Sequence, residues 1–402
     1  MRKIFVLLLM LLPCMAFGAD NEKTVSLQLY GTDVTVHFDA SKRVKLKKND
    51  SRQMAKCMQW IDQATEQTVK DCQQVKNTLN LSDWAYVKLA DKLSTTCLGN
   101  TNEATLMSAT LLKKSGYAVR VAWERDKTLR LLYNADALVC DVNSLDIDGK
   151  HYYLYGTASS TATADMKVVD NGWKGKPVSM RINGEQKFAM RLTEPRTVTS
   201  LNNKDFTFTF QVNKNLIDFY GDMPAVVFDN DSITKWTTLA NVPLEKRLQD
   251  TLVKDMKKKL KGLSQREAVQ MLLSWTQGKI DLEGKEQNPK TFLFRYDDDV
   301  WGKERAFYAE ETLFYPWCDS EDRSILFSRL VRDVLGLKVV LISYLTHTAV
   351  GVCITDEDIK GAYVVKNGMH YVICDPTFIG SDIGEEMPSV KDQEKTVGLL
   401  KP

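Results

Sequence analysis

Metal-binding patterns are the first thing missing from this chain. It holds four histidines in 402 residues, set far apart, and no Cys-x-x-Cys pair. The nitrogen and sulfur sets that hold zinc therefore have no counterpart here. Charge of one sign is missing too: 54 basic residues face 52 acidic ones, so no global field draws nucleic acid or an anionic membrane. Long apolar runs are absent past the N-terminal leader, where nothing approaches the roughly 20 residues a bilayer-spanning helix requires. Even Lys254 to Lys261, with five lysines among apolar positions, reads as the solvated face of an amphipathic helix. The sequence implies no metal and no cofactor, and it leaves the oligomeric state open.

The leader itself reads as a secretory signal. Arg2 and Lys3 precede an apolar run from Ile4 to Leu12 and a small-residue site at Ala16-Phe17-Gly18, which places a mature start near Ala19 and the product outside the cytoplasm, secreted or periplasmic. Pro13 stands where a lipoprotein signal needs a small residue, so Cys14 is not read as a lipid anchor. Seven cysteines remain after the leader: Cys57, Cys72, Cys97, Cys140, Cys318, Cys353 and Cys374. An odd number in an oxidising compartment leaves at least one thiol unpaired or paired between chains. Cys57 and Cys72 are the leading bridge, although sequence does not give connectivity.

Local patterns divide the mature chain into three parts. Alternating Val25, Leu27, Leu29 and Val34, Val36, Phe38 around Gly31-Thr32-Asp33 predict a short hairpin. Helical spacing follows from Met54 to Leu79, and a second helix starts at Ser82 and ends near Cys97-Leu98-Gly99. Val178 to Ile182 and Gln186 to Leu192 alternate around Asn183-Gly184, a strong hairpin signal, and Phe206 to Val212 continues the pattern. Residues 163–240 therefore read as an all-β domain, a sandwich. Helices resume at Leu244, with Ser264 and Glu267 as a capping box.

The chemistry concentrates near the C-terminus. The segment Trp317-Cys-Asp-Ser320-Glu-Asp-Arg-Ser324 runs into an apolar helix ending at Leu335-Gly336; His347 follows in Tyr344-Leu-Thr-His-Thr-Ala-Val, and Asp375 in Tyr371-Val-Ile-Cys-Asp-Pro-Thr-Phe378. Nucleophile position, base and orienting acid thus come in the order of a papain-like protease. The aromatic run from Phe292 to Trp317 precedes it, and Tyr315 and Trp317 are candidates for substrate binding, the indole N–H of Trp317 also as an oxyanion donor. Asp297-Asp298-Asp299 lacks the spacing of a calcium loop and reads as a solvated turn.

These motifs resemble the transglutaminase-like superfamily of papain-fold transglutaminases, peptidases and amidases, over residues 264–388. The resemblance implies an α+β, papain-like C-terminal domain over 241–402, a peptide or protein amide as substrate, His347 as base and Asp375 as orienter. It also places Ser320, not a cysteine, at the nucleophile. Cys318 lies two residues early, which on helical backbone is a rotation of about 200°, so it serves only from a loop. A second, worn copy resembles this domain over 20–162: Gly116 aligned on Gly336 puts Asn100 on Ser320 and Asn102 on Asp322, Tyr133 to Val139 resembles the histidine strand, and Gly156 falls on Asp375. Three accounts follow for the intact site: a pseudoenzyme that binds amides with weak acyl transfer or hydrolysis at most, a serine hydrolase using Ser320, His347 and Asp375, or a cysteine amidase using Cys318. A surface scaffold whose middle domain binds the partner is the non-catalytic alternative.

Overall fold

The computed structural model describes residues 23–156, 163–169, 174–229, 231–281, 283–286, 289–358 and 360–402. The expected signal and Cys14 lie outside the described residues. No described helix is long and apolar enough to cross a membrane. The architecture is mixed α and β, with two curled half-barrel sheets.

The chain opens on the predicted hairpin. Thr24–Leu29 pairs antiparallel with Thr32–His37, and Tyr30 and Gly31 both take left-handed backbone at the turn (φ 44° and 70°), which matches the right-handed twist of the strands. Helices Ser51–Ala64, Glu66–Leu79 and Asp83–Leu98 follow, the last capped by the Ser82 side chain accepting from Ala85 N–H. Helix α1 (Asn102–Lys114) then leads into the first sheet. Its strands are β1 (Val119–Glu124), β2 (Thr128–Tyr133), β3 (Ser144–Ile147), β4 (Lys150–Leu154) and β5 (Met166–Val169), in spatial order β3-β4-β2-β1-β5.

The second sheet repeats that plan. Helix α2 (Ser320–Leu330), continued as a wider turn through Leu335, leads into β6 (Val339–Ser343), β7 (Thr348–Val352), β8 (Tyr363–Lys366), β9 (Met369–Cys374) and β10 (Thr396–Leu399). Their order is β8-β9-β7-β6-β10, the order of the first sheet strand for strand. Both lead-in helices end at a left-handed glycine, Gly116 (φ 90°) and Gly336 (φ 69°), where a side chain costs strain. The β1–β2 link has three residues and the β6–β7 link four, so Val119 opposite Tyr133 corresponds to Val339 opposite Val352. The strand equivalent to the histidine strand is therefore β2 (Thr128–Tyr133), not Tyr133 to Val139 as the sequence implied.

A continuous apolar core runs from the N-terminal hairpin through the middle segment to Ile383, and smaller clusters cover the far face of each sheet. Three expectations give way. Residues 163–240 do not form an all-β domain: among the described residues β5 joins the first sheet, Arg196–Thr199 pairs with Thr207–Phe210, Val226–Val227 pairs with Leu138–Val139, and the segment also holds the helices Lys214–Gly221 and Ser232–Ala240. No ladder forms around Asn183-Gly184, because the flanking backbones are claimed elsewhere: Val178 N–H donates to Asn134 O and Lys187 N–H to Leu79 O. Cys57 and Cys72 are not bridged. Each is a buried free thiol, Cys57 donating to Val44 O at 3.5 Å.

Candidate functional site

The leading end of helix α2 carries the site because its sequence makes a strong helix start. Asp319 is the N-cap and forms a capping box with Asp322, leaving Ser320 as the first helical residue. Acidic groups are stabilised there by the free N–H groups and the positive end of the helix dipole. Deeper in the helix, Ser324 Oγ donates to Thr348 O at 2.9 Å, which fixes α2 against the strand that follows His347.

His347 sits at the end of the four-residue link before β7, a turn closed by Tyr344 N–H donating to His347 O at 2.8 Å. Its Nε2 lies 2.7 Å from Asp375 Oδ2. The other Asp375 oxygen accepts from Thr377 N–H (2.9 Å), Thr377 Oγ1–H (2.9 Å) and Phe378 N–H (3.0 Å). Four bonds thus fix the carboxylate, and the carboxylate fixes the imidazole with Nδ1 turned from it.

Ser320, His347 and Thr377 line one cleft of about 830 Å³. Its walls add Lys235 and Trp236 from the helix Ser232–Ala240, with Phe294, Tyr296 and Ile280 opposite. Leu345, Ile280 and Tyr296 are exposed apolar groups on its rim (87 %, 63 % and 59 %). Ser320 Oγ donates to Glu321 Oε2 at 3.0 Å. Among the described residues, neither Ser320 nor Cys318 is hydrogen-bonded to His347.

Cys318 is elsewhere. It lies on the short strand Trp317–Cys318, buried, with its thiol directed at Leu293 O (3.7 Å) and its sulfur accepting from Arg323 Nε (3.3 Å). Burial pushes the thiol above its ordinary range despite Arg323, so it is no thiolate. Arg323 is fully buried and also donates to the carbonyls of Gln277, Lys279 (3.3 Å) and Pro376 (3.4 Å). It ties helix α2 to the turn that carries Asp375.

The two expected aromatics sit away from the cleft. Tyr315 packs with Trp301 and Phe307 at 5.0 Å around the Arg305 guanidinium, and Trp317 lies under Arg295 at 5.5 Å. Neither lines the cleft; Phe294 and Tyr296 do. Lys235, Trp236, Ile280 and Leu345 had no sequence signal, because their segments reach the cleft only through tertiary packing. Gln277 was equally hidden: it is buried and its Nε2 donates to Phe378 O and Ser381 O at 3.0 Å each, anchoring the turn after Asp375.

Carboxylates crowd the cleft floor. Asp297 is buried at the start of the short helix Asp297–Trp301, while Asp298 and Asp299 are exposed, so the triplet is a helix start rather than a turn and two of its three acids are solvated. Burial, with Glu321 close by, pushes Asp297 up to about 7; Glu304, whose residue surface is exposed although its carboxyl is partly enclosed, is raised by that enclosure and by Glu321 to about 8. Asp319 and Asp322 are likewise raised well above the usual carboxylate range, by burial first and by one another's neighbours second.

The first sheet has its own cavity, about 810 Å³, and the three positions equivalent to Ser320, His347 and Asp375, namely Asn100, Thr128 and Gly156, all line it. None of the three offers a nucleophile–base pair. No family model, curated protein or solved structure matches this chain.

Proposed function

We propose that the second sheet and helix α2 form a papain-like, transglutaminase-like cleft that binds peptide or protein side-chain amides, with weak acyl transfer or hydrolysis at most. One observation carries this reading: Ser320 and the His347–Asp375 pair share a cleft with an apolar rim, while Cys318 is buried behind it. An extended peptide fits such a groove through its backbone amides and apolar side chains. The export reading of the leader accompanies it, which makes an extracellular or periplasmic polypeptide the natural ligand.

In this reading Ser320 Oγ attacks the amide carbonyl and passes its proton to His347 Nδ1. Asp375 stabilises the imidazolium, and the imidazolium returns the proton to the leaving amine. Turnover is weak for a physical reason. The hydroxyl is harder to deprotonate than a thiol, and its hydrogen is already donated to Glu321 rather than to the imidazole. A cysteine mechanism through Cys318 loses its support in the raised thiol and the missing cleft contact.

The test is to restore the thiol. Ser320→Cys should introduce a cysteine that iodoacetamide alkylates, and on peptide amides it should raise turnover by roughly a hundredfold, the scale of general base assistance. His347→Ala in that background should remove both gains. Equal labelling rates with and without His347, or rapid labelling of native Cys318, would refute the reading.

A further inference from the structure

We propose that Asp297, Glu304 and Asp319 bind one hard divalent cation beside Ser320, at the leading end of helix α2. Each residue offers a carboxylate oxygen, and these oxygens lie within 4.8 Å of one another. Two oxygens across a single calcium ion stand about 4.6–5.2 Å apart, and across magnesium about 4.0–4.2 Å. Three oxygens, none more than 4.8 Å from another, are close enough to share one such ion.

A second observation points to a ligand. Asp319 is 6 % exposed, and its Oδ1 has no hydrogen-bond partner. A buried carboxylate oxygen left alone costs free energy that a structure recovers by pairing it, and the charged groups acting on this carboxyl are those of Asp322, Glu321 and Asp297. Glu321 adds a further carboxylate next to Ser320. Arg305 and Lys235 stand near enough to favour ionised Asp297, and Lys235 does the same for Glu304, but burial outweighs both cations. Arg305 Nη2 is committed to Glu311 at 2.6 Å, its backbone N–H alone reaching Asp297 Oδ2. Lys235 stands over the Trp236 ring, 4.5 Å from its centroid.

Access is open. Glu304 and Asp319 line the same cleft as Ser320, so an ion enters from solvent. Three carboxylates supply part of the six to eight oxygens calcium takes, leaving positions for water or for a carbonyl oxygen of a bound peptide. The ion would hold Asp319 and the loop carrying Asp297 and Glu304 together, and so set the helix start on which Ser320 sits.

The experiment needs no substrate, so its outcome is independent of the amide-binding reading. The chelator-stripped full chain is titrated with calcium chloride by calorimetry, with melting temperature followed in parallel. One saturable site per chain and a rise in melting temperature are expected. Asp319→Asn and Glu304→Gln should each weaken binding by at least about tenfold, in line with losing a charged ligand. Glu304 is exposed, so E304Q tests the site even where D319N perturbs the fold. No saturable binding at millimolar calcium, or binding that both variants leave unchanged, overturns the site.

Discussion

At the scale of single residues, buried carboxyls set how stability follows pH. Glu310 is 2 % exposed, accepts from Glu245 N–H at 2.7 Å and faces Tyr220, and its burial pushes it up to about 8 from the usual carboxylate range. The folded state therefore holds a proton that the unfolded chain releases near pH 4.5. Stability from this group is complete below that pH and is lost as pH rises toward 8. Glu311 is raised to about 7 by the same cause and adds a slope of the same sign. Urea midpoints should fall between pH 5 and pH 8, with Glu310 contributing on the order of 3 kcal/mol. Glu310→Gln keeps the acceptor for Glu245 N–H without a titrating proton, so its midpoint should fall less steeply. An unchanged slope in that variant would show that Glu310 is ionised in the folded state.

At the scale of elements, the junction after the helix Gln265–Gln277 couples packing to the site. Gly278 closes that helix with left-handed backbone (φ 59°), and a Cβ there would lie 1.9 Å from Phe292 O. Gly278→Ala should cost more than about 2 kcal/mol, from the left-handed strain plus the clash. Because Gln277 anchors the turn after Asp375, the variant should also weaken peptide binding. Loss of stability with binding intact would mean that Gln277 keeps its anchor without its neighbour.

This element also shows what was legible in the sequence. The capping box at Ser264 and Glu267, the helix start at Ser82 and the opening hairpin rest on contacts within a few residues, and all three formed as read. The gapless alignment of Gly116 on Gly336 and Asn100 on Ser320 foresaw two like segments, since helix length and the glycine stop are written locally. The middle segment was illegible for the opposite reason. Asn183-Gly184 and its flanking alternation are a hairpin signal that loses to distant partners, Asn134 and Leu79, which sequence separation hides. The same holds at the site. His347 and Asp375 were found by motif, whereas Lys235, Ile280 and Gln277 belong to it only because the fold brings them there.

At the scale of the whole molecule, the two sheets are repeated in plan but not independent in packing. Arg196 of the middle ladder donates to the carbonyls of Leu313 and Tyr315 at 2.7 Å, immediately before helix α2. Trp275 packs edge-on to Phe208 and Phe292, 6.0 and 5.2 Å between ring centroids, and Tyr220 stacks on Tyr308 at 4.2 Å. Trp84, from the first half, donates its indole N–H to Asp222 O at 3.0 Å. These contacts belong to one apolar core that draws described residues from the hairpin, the middle segment and the C-terminal part alike. Exposing part of such a core leaves the remainder without its cover, which makes partial unfolding costly relative to complete unfolding. Calorimetry of the full chain should therefore give one transition whose van't Hoff and calorimetric enthalpies agree, and the fragment 241–402 alone should not melt cooperatively, having lost the ladder against which Trp275 packs and the helix whose Tyr220 stacks on Tyr308. Two resolved transitions, or a cooperatively folding fragment, would mean that each sheet with its lead-in helix is stable by itself and that the shared core contributes contact without coupling.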